Sequence, residues 1–292
     1  MKGILLIDKP SGWTSSDVVC KLRGMLHTKR VGHSGTLDPM ATGLLVVFVG
    51  RATRAMQFTE CHTKHYAASL RLGIETDTLD TTGTLVKSSP VNVTEEEFIS
   101  VLDGFRGDIS QIPPMYSAIK VKGQKLCDAA RSGVELERKP RKVTISRLDY
   151  LGRDGEDYRL DVCCSKGTYI RTLCDDIGRA LGCGGCMSAL RRLESGNFSV
   201  DDAHSLDEVQ EAVWAGEAEK LLLPVDCLFK DCPEYTVDEV RTRKIIHGNE
   251  LKTELPDGDY RVYSQNGEFL MLGRTENGIL RTVKSFFEVE EI

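Results

Sequence analysis

The chain has 292 residues, of which 40% are hydrophobic and 28% are charged, and its formal net charge is −6. This composition indicates a large globular domain with a smaller one beside it, and the negative charge by itself argues against nucleic acid as a partner. No segment approaches the roughly 20 apolar residues of a membrane span, and none has the pattern of a secretory signal. We therefore expect a cytoplasmic protein without membrane contact, in which the ten cysteines are reduced.

The first predicted elements surround a compact loop. A short apolar strand at 4–7 is followed by a helix that Ser15 or Ser16 would cap. The loop "RVGHSGTLDPMATG" at 30–43 comes next, and a second apolar strand occupies 44–49. Asp38 precedes Pro39, which disfavours the helical conformation, so it could be a nucleophile, a general base or a turn-forming residue. His33 could be an acid–base group, a stacking ring or an ordinary loop residue.

The middle of the chain mixes strands, hairpins and helices. Residues 66–72 alternate as in a half-buried strand, Thr94 and Glu97 form a capping box, and Asp154-Gly155 lies between two predicted strands. The segment "SKGTYIRTLCDDIGRALG" predicts a helix with Arg171 near its start, off the apolar stripe. After about residue 226, short strands with two Asn-Gly pairs predict hairpins of a small all-β module. Without βαβ regularity, the fold class is α+β.

Charged residues and cysteines are unevenly distributed. Residues 117–147 contain nine Lys or Arg against three acids, whereas 201–219 contain seven acids and no Lys or Arg. The basic segment fits a phosphate-binding surface as well as a solvated loop. Cys183-Gly-Gly-Cys186 lacks the second ligand pair of a typical zinc site, which makes a metal or redox role the less favoured alternative.

Several motifs resemble one known family. The stretch "GHSGTLDPMATGLL" closely resembles the motif of the tRNA pseudouridine-55 synthases, the bacterial TruB family. Further stretches are similar to other motifs of that family, in the same order over about residues 3–206: "LIDKPSGWTSSDVV", "HYAASLRLGIETDTLDTTG", "GDISQIPPMYSAIKVKGQKL", "CSKGTYIRTLCDDIGRALGCGG" and "LRRLESGNFSVDDAHSL". The resemblance implies a pseudouridine synthase fold with a mixed, largely antiparallel sheet at 1–226. Residues 227–292 would form a PUA-like module, which resembles that domain only loosely.

The resemblance also implies roles for particular residues. Asp38 corresponds to the catalytic aspartate, His33 to a residue that stabilises the flipped-out state of the RNA, and Tyr66 to the aromatic ring that stacks on the target base. Arg171 corresponds to the arginine that pairs with the aspartate, and Tyr169 and Leu190 to residues of the uracil pocket. A basic insertion at 117–147 would grip the T stem-loop of tRNA through Lys120, Lys122, Lys125, Arg131, Arg141 and Lys142. No metal, cofactor or obligatory protein partner is implied, and a monomer is expected.

The chemistry of the reaction agrees with these residue types. Pseudouridine formation breaks N1–C1′, turns the uracil and joins C5 to C1′, and an ionised carboxylate could attack C1′ or C6 or remove the 2′ proton. A neighbouring arginine would lower the pKa of the aspartate and fix its direction. Two departures from the family pattern are Cys127, where an aromatic residue is usual, and Cys186, where histidine is common.

The sequence leaves three alternative functions open. The same fold could be the catalytic subunit of a guide-RNA-dependent complex, which would need protein partners. The chain could be an RNA-binding chaperone of tRNA folding, in which Asp38 would be dispensable. It could also be an aspartate-nucleophile hydrolase of a small molecule, which would not need the basic segment at 117–147.

Overall fold

The computed structural model describes residues 1–59, 63–117, 119–121 and 123–287, and at positions 120 and 125 only the backbone is considered. Lys122, one of the predicted RNA-gripping residues, lies outside this part of the chain. Within it, no helix is long and apolar enough to cross a membrane.

The strands of the larger part of the molecule, in chain order, are β1 (Gly3–Lys9), β2 (Val31–Ser34), β3 (Thr42–Val49), β4 (Lys64–Leu72), β5 (Ile74–Thr76), β6 (Leu85–Ser88), β7 (Gly107–Gln111), β8 (Lys120–Val121), β9 (Gln124–Lys125), β10 (Arg141–Asp154), β11 (Asp157–Cys164), β12 (Gly185–Ser195) and β13 (Phe198–Ser199). Among the described residues they form one nine-stranded sheet and two small hairpins, β5–β6 and β8–β9. The main sheet has the order β1-β3-β12-β4-β11-β10-β7, with β2 paired to β3 and β13 to β12. Only the β12–β3 pair is parallel within it, as the predicted mixed, largely antiparallel sheet requires.

The α-helices are α1 (Ser15–Met25), α2 (Glu95–Leu102), α3 (Leu126–Arg131), α4 (Ile170–Ala180), α5 (Leu206–Trp214) and α6 (Glu239–Ile246). The predicted cap of α1 was wrong, because Thr14 occupies that position. The Thr14 side chain accepts from the Asp17 amide, and the Asp17 carboxylate accepts from the Thr14 amide, which completes a capping box. The capping box predicted at Thr94 and Glu97 is confirmed at the start of α2.

Two apolar layers hold the main sheet in place. On one face, Leu70 and Leu160 of the central strands pack against Ile177 of α4 and Phe98 of α2. Strands β1 and β3 at the edge pack against α1 and α5 through a second cluster. Because α4 lies directly against β12 and β4, its first turn is fixed over the middle of the sheet.

The C-terminal part contains a second sheet. Its strands are β14 (Glu234–Val237), β15 (Leu251–Lys252), β16 (Gly258–Ser264), β17 (Phe269–Glu276) and β18 (Ile279–Ser285), in the order β14-β16-β17-β18-β15. The hairpins predicted at the two Asn-Gly pairs are confirmed as β16–β17 and β17–β18. The C-terminal part is β-rich, as predicted, but it is not all-β, since α6 lies within it. Asp238 caps α6 by accepting from the Arg241 amide.

An aromatic cluster joins the C-terminal sheet to the larger part. Phe269 and Phe286 stack with ring centroids 5.3 Å apart, and Phe229 packs on both of them. The same cluster includes Phe48 of β3. The helices and strands given above confirm the predicted α+β class. The domain boundary at 226 and the likeness to a PUA domain stay predictions.

Candidate active site

The loop that carries Asp38 connects β2 to β3, and the side chain of Lys9 holds it in place. The Lys9 side chain is fully buried, and its ammonium donates to the carbonyls of Pro10 at 2.9 Å, Trp13 at 2.7 Å and Pro39 at 3.2 Å. Burial lowers the pKa of Lys9 to about 8, against the opposing charge of Asp38. The residue following Asp38 is thereby tied to the turn after β1.

Further hydrogen bonds fix the loop on both sides of Asp38. The buried Ser15 hydroxyl accepts from the Leu37 amide at 2.9 Å and donates to the Leu37 carbonyl at 3.1 Å. The Gly12 amide donates to the Pro39 carbonyl at 2.8 Å, and the Ala41 amide donates to the Asp38 carbonyl at 3.1 Å. The backbone of Asp38 is therefore held in one conformation, and its side chain keeps a third of its surface exposed.

Asp38 and Arg171 form a two-point ion pair, as expected. Arg171 Nη2 donates to Asp38 Oδ1 at 3.0 Å, and Nε lies 2.9 Å from Oδ2. Although the sequence placed Arg171 off the apolar stripe of α4, its side chain is only 5% exposed. A buried guanidinium that presents two nitrogens to one carboxylate fixes the direction of that carboxylate as well as its charge.

Nη1 and Nη2 of Arg171 also contact two backbone carbonyls and a second carboxylate. Nη1 donates to the Thr78 carbonyl and Nη2 to the Tyr116 carbonyl, both at 2.9 Å, and Nη1 lies 3.6 Å from Asp80 Oδ2. Asp80 is 4% exposed and follows Leu79, which has a positive φ of 62°. A leucine in that conformation is strained, and the surrounding bonds to Asp80 hold it there.

The pKa of Asp38 is raised above its ordinary value, and burial is the main cause. Asp80 adds to the increase, while Arg171 and Lys9 oppose it. Arg171 acts to lower this pKa, as expected from the sequence, but the effect of desolvation is larger.

Two of the predicted pocket residues share an apolar cluster with the neighbours of Asp38. Tyr66 of β4 and Leu190 of β12 belong to the apolar cluster that includes Leu37 and Ala41, on either side of Asp38 along the chain. Tyr66 is 6% exposed, and burial raises the pKa of its phenol, with Arg192 acting in the opposite direction. These positions agree with a base-binding pocket beside the carboxylate.

Tyr169 precedes α4 and is held by a residue that the sequence analysis did not single out. The side-chain amide of Gln111 accepts from the Tyr169 amide at 3.0 Å and donates to the Tyr169 carbonyl at 3.3 Å. Burial raises the pKa of the Tyr169 phenol, while the positive charges of Arg141 and Arg171 act to lower it. Tyr169 thus lies within the electrostatic reach of both the active site and the first basic residue of β10.

His33 lies on β2, half-buried, and its Nδ1 has no hydrogen-bond partner among the described residues. Burial lowers the pKa of the imidazole, and the charge of Arg192 lowers it further. A neutral ring is therefore favoured, which suits stacking better than ion pairing.

The predicted RNA-gripping residues occupy two different kinds of structure. Arg131 ends α3 and lies 3.8 Å from Asp128, whereas Arg141 and Lys142 are exposed at the start of β10. Since β10 belongs to the main sheet, the insertion in structural terms ends before 141. Positions 120 and 125 lie in the β8–β9 hairpin.

The cysteines of the described residues form no disulfides. The nine cysteines of the described part are free thiols, and Cys183 and Cys186 are both buried. In the described part of the chain, no group of three or more His, Cys, Asp or Glu side chains is placed to hold a metal ion. Cys186 is the second residue of β12 and is fully buried there.

Sequence reasoning missed Asp80, Gln111 and Arg192. Asp80 lies in "TDTLDTTG", where an acid among hydroxyl residues and a glycine could have indicated a tight loop. Arg192 follows Arg191 in a strand, and successive strand residues point to opposite faces, so one of the two had to face inward. Gln111 left no such signal.

Comparison with known proteins decides the family. The description "TruB family pseudouridylate synthase (N terminal domain)" matches residues 23–170, and "tRNA pseudouridylate synthase B C-terminal domain" matches residues 171–230. The chain belongs to the TruB family of pseudouridylate synthases. As a member of this family it is an isomerase and an RNA-modifying enzyme.

Individual relatives agree with the family assignment. The chain is 42% identical to a tRNA pseudouridine synthase B of Clostridium kluyveri over 292 residues, which covers 98% of this chain and 100% of that protein. It is 45% identical to a protein of the same name from Azoarcus sp. (strain BH72) over 280 residues, with 96% and 93% coverage.

Solved structures confirm the pseudouridine synthase fold. A chain of a Cbf5-Nop10-Gar1 complex has a TM-score of 0.73 at 26% identity, covering 98% of this chain and 85% of that one. A chain of an H/ACA RNP bound to a substrate RNA containing 2′-deoxyuridine has a TM-score of 0.72 at 24% identity, with the same coverage. The TruB-family fold therefore extends over nearly the whole of this chain.

Proposed function

We propose that this TruB-family enzyme converts the uridine at position 55 in the T stem-loop of tRNA to pseudouridine, in the cytoplasm, with Asp38 as the nucleophile and no cofactor. The observation that carries the proposal is the Asp38–Arg171 pair, with Nε and Nη2 2.9 and 3.0 Å from the two carboxylate oxygens. The names of the relatives support tRNA as the substrate. The resemblance of the motifs to tRNA pseudouridine-55 synthases supports the position.

The reaction needs a carboxylate that can form and break a bond in a dry pocket. Attack at C1′, attack at C6 and removal of the 2′ proton all require the ionised form of Asp38. Burial disfavours that form, and Arg171 together with Lys9 opposes this effect. The two cations thus keep the carboxylate reactive where water is partly excluded.

The uracil must leave the stem-loop stack before it can reach Asp38. Extruding a base costs a few kcal/mol, and stacking on an aromatic ring recovers roughly 1–3 kcal/mol. We assign the stacking to Tyr66, while Tyr169 and the apolar Leu190 bound the space in which the detached uracil turns. His33 favours its neutral form and would stabilise the flipped-out state of the RNA.

The exposed cations of the 117–147 region would position the RNA backbone. Arg141 and Lys142 are exposed at the start of β10, and Arg141 is near enough to Tyr169 to lower the pKa of its phenol. Phosphate contacts at this point would place the stem-loop without reading its sequence. We expect the chain to act as a monomer without a protein partner.

The test is tritium release from a tRNA transcript labelled with [5-³H]uridine, using the purified chain alone. Removal of the C5 proton should release one tritium per tRNA, and a transcript with cytidine at position 55 should release none. Asp38→Asn should release none while still binding the tRNA in a gel shift. Binding without release by the wild-type chain would instead favour a guided subunit or a chaperone, and release from the cytidine-55 transcript would refute the position.

A further inference from the structure

Arg192 of β12 is the largest fully buried side chain, with no exposed surface. The described residues provide it with no carboxylate at ion-pair distance. Its neighbour Arg191 points to the other face of the sheet and makes a two-point pair with Asp8, at 2.9 and 2.7 Å. Burying a guanidinium that has no carboxylate partner is unfavourable, so the position of Arg192 near the Asp38 loop calls for a role other than stability.

The hydrogen bonds of Arg192 enclose the catalytic loop. Nε donates to the Leu44 carbonyl at 2.7 Å and Nη2 donates to the Gly35 carbonyl at 2.8 Å. These two carbonyls delimit the segment 35–44, and Asp38 lies between them. One rigid, planar group therefore fixes the separation of the two ends of that segment.

The backbone of Arg192 lies between the loop and the strand of Tyr66. In the β12–β3 pair Arg192 is opposite Gly43, and in the β12–β4 pair it is opposite Tyr66. The approach to Gly43 is so close that an added Cβ would lie 2.2 Å from the Arg192 carbonyl oxygen. No residue with a side chain could replace Gly43 unless the backbone of β12 moved away.

The third nitrogen of Arg192 is also on the active-site side. Nη1 is buried without a hydrogen-bond partner among the described residues, and a Cβ at Gly35 would lie 3.1 Å from it. The positive charge lowers the pKa of His33, Lys9, Lys64 and Tyr66, whose side chains surround the loop. Arg192 thus acts on both walls of the pocket at once.

We propose that Arg192 is a positioning residue: its buried guanidinium fixes the loop that carries Asp38 relative to the strand that carries Tyr66, and so sets the width of the uracil pocket. The inference rests on the proposed isomerisation. A shift of about 1 Å in such a geometry costs on the order of 100-fold in rate, whereas a residue of structural importance alone would change stability without changing the rate of the folded enzyme.

The test compares Arg192→Lys and Arg192→Met with Arg191→Met, a matched change of the adjacent arginine. Single-turnover tritium release, the Kd for tRNA and the melting temperature are measured for each. For Arg192→Lys, which keeps the charge but loses the fork, we expect a rate lower by about 100-fold with a nearly unchanged Kd and a folded protein. Arg191→Met should keep the wild-type rate.

Arg192→Lys keeps the proposal testable if Arg192→Met does not fold, since it retains the buried charge without the fork. A wild-type rate in folded Arg192→Lys would overturn the positioning role, as would a loss that only follows the folded fraction. An inactive wild-type chain would refute the proposed function itself, which is a separate result.

Discussion

Asp80 lies 3.6 Å from Arg171 through Nη1, the nitrogen of the guanidinium that Asp38 does not use. Asp80 is held in turn by the Thr78 hydroxyl at 2.9 Å and the Thr82 amide at 3.0 Å. Arg171 therefore has a carboxylate on each side, and the second one is buried at the back of the site. The two carboxylates thus share one guanidinium, and we expect Asp80 to influence the orientation of Arg171.

Asp80→Asn should slow catalysis without weakening binding. The amide retains part of the loop hydrogen bonding but removes the charge that orients Arg171, so we expect single-turnover rates lower by about 10- to 100-fold. The Kd for tRNA should stay within experimental error of the wild-type value. Asp77→Asn is the matched control, because Asp77 is exposed in the same loop and its carboxylate accepts from the Thr84 amide. Equal rates for the two variants would contradict the prediction.

Gln111→Leu should destabilise the start of α4 and impair the pocket. The 1% exposed Gln111 satisfies both backbone groups of Tyr169, whose side chain provides no cap of its own. In the variant the Tyr169 amide loses its partner, whereas the carbonyl still accepts from the Leu173 amide. Leaving one such polar group unpaired costs roughly 1–3 kcal/mol. We expect the free energy of unfolding to fall by about 2 kcal/mol in urea titrations, together with a lower kcat/KM.

The control for that variant is Gln265→Leu in the exposed β16–β17 turn. A change in stability as large as that of Gln111→Leu would show that the loss is unrelated to Tyr169. An unchanged kcat/KM in folded Gln111→Leu would show that Tyr169 does not need this support.

The pH dependence of the reaction should report the raised pKa of Asp38. Because the ionised carboxylate is the reactive form, the rate should fall with decreasing pH, with a midpoint above the ordinary Asp value of about 3.9. Removing the negative charge of Asp80 lowers the pKa of Asp38, so the midpoint should move to lower pH in Asp80→Asn. Single-turnover rates at controlled pH measure this, and a shift to higher pH would contradict the electrostatic assignment.

Asp176→Asn should stabilise the protein at neutral pH. Burial, together with the nearby Asp175, raises the pKa of Asp176 to about 6 in the folded protein. The contribution of Asp176 to the free energy of unfolding is fully present below the unfolded pKa near 3.9. It is lost as the pH rises through about 6, because only the unfolded chain ionises freely at Asp176. We expect a gain on the order of 1–2 kcal/mol at pH 7.5 that disappears near pH 4.

Urea unfolding at the two pH values measures this gain. Asp202→Asn, a change at an exposed position of a 3-10 helix, is the control and should show no such pH dependence. A gain for Asp176→Asn that is equal at both pH values would mean that ionisation is not its cause.

The elements predicted with most success have local causes. The capping box of α2, the alternation of β4 and the Asn-Gly turns of the second sheet depend on residues within a few positions of one another. The cap of α1 was wrong because Ser15 serves a distant partner, Leu37, so its hydroxyl was not available for its own helix. The helix α6 was missed because short alternating strands surround it on both sides.

The sequence by itself determined the motif that contains Asp38, its identity with a known family pattern, the α+β class and the choice of Arg171 as its partner. Local spacing and residue type predicted the turns, caps and apolar faces behind the α+β class, whereas the pairing of Arg171 with Asp38 was implied by the resemblance to the TruB family. Only the tertiary structure decided that Asp80 stands behind Arg171, that Gln111 holds Tyr169 and that Arg192 spans the catalytic loop. Each of these contacts joins residues far apart in the chain. The burial that raises the pKa of Asp38 likewise exists only once the sheet and α4 have packed together.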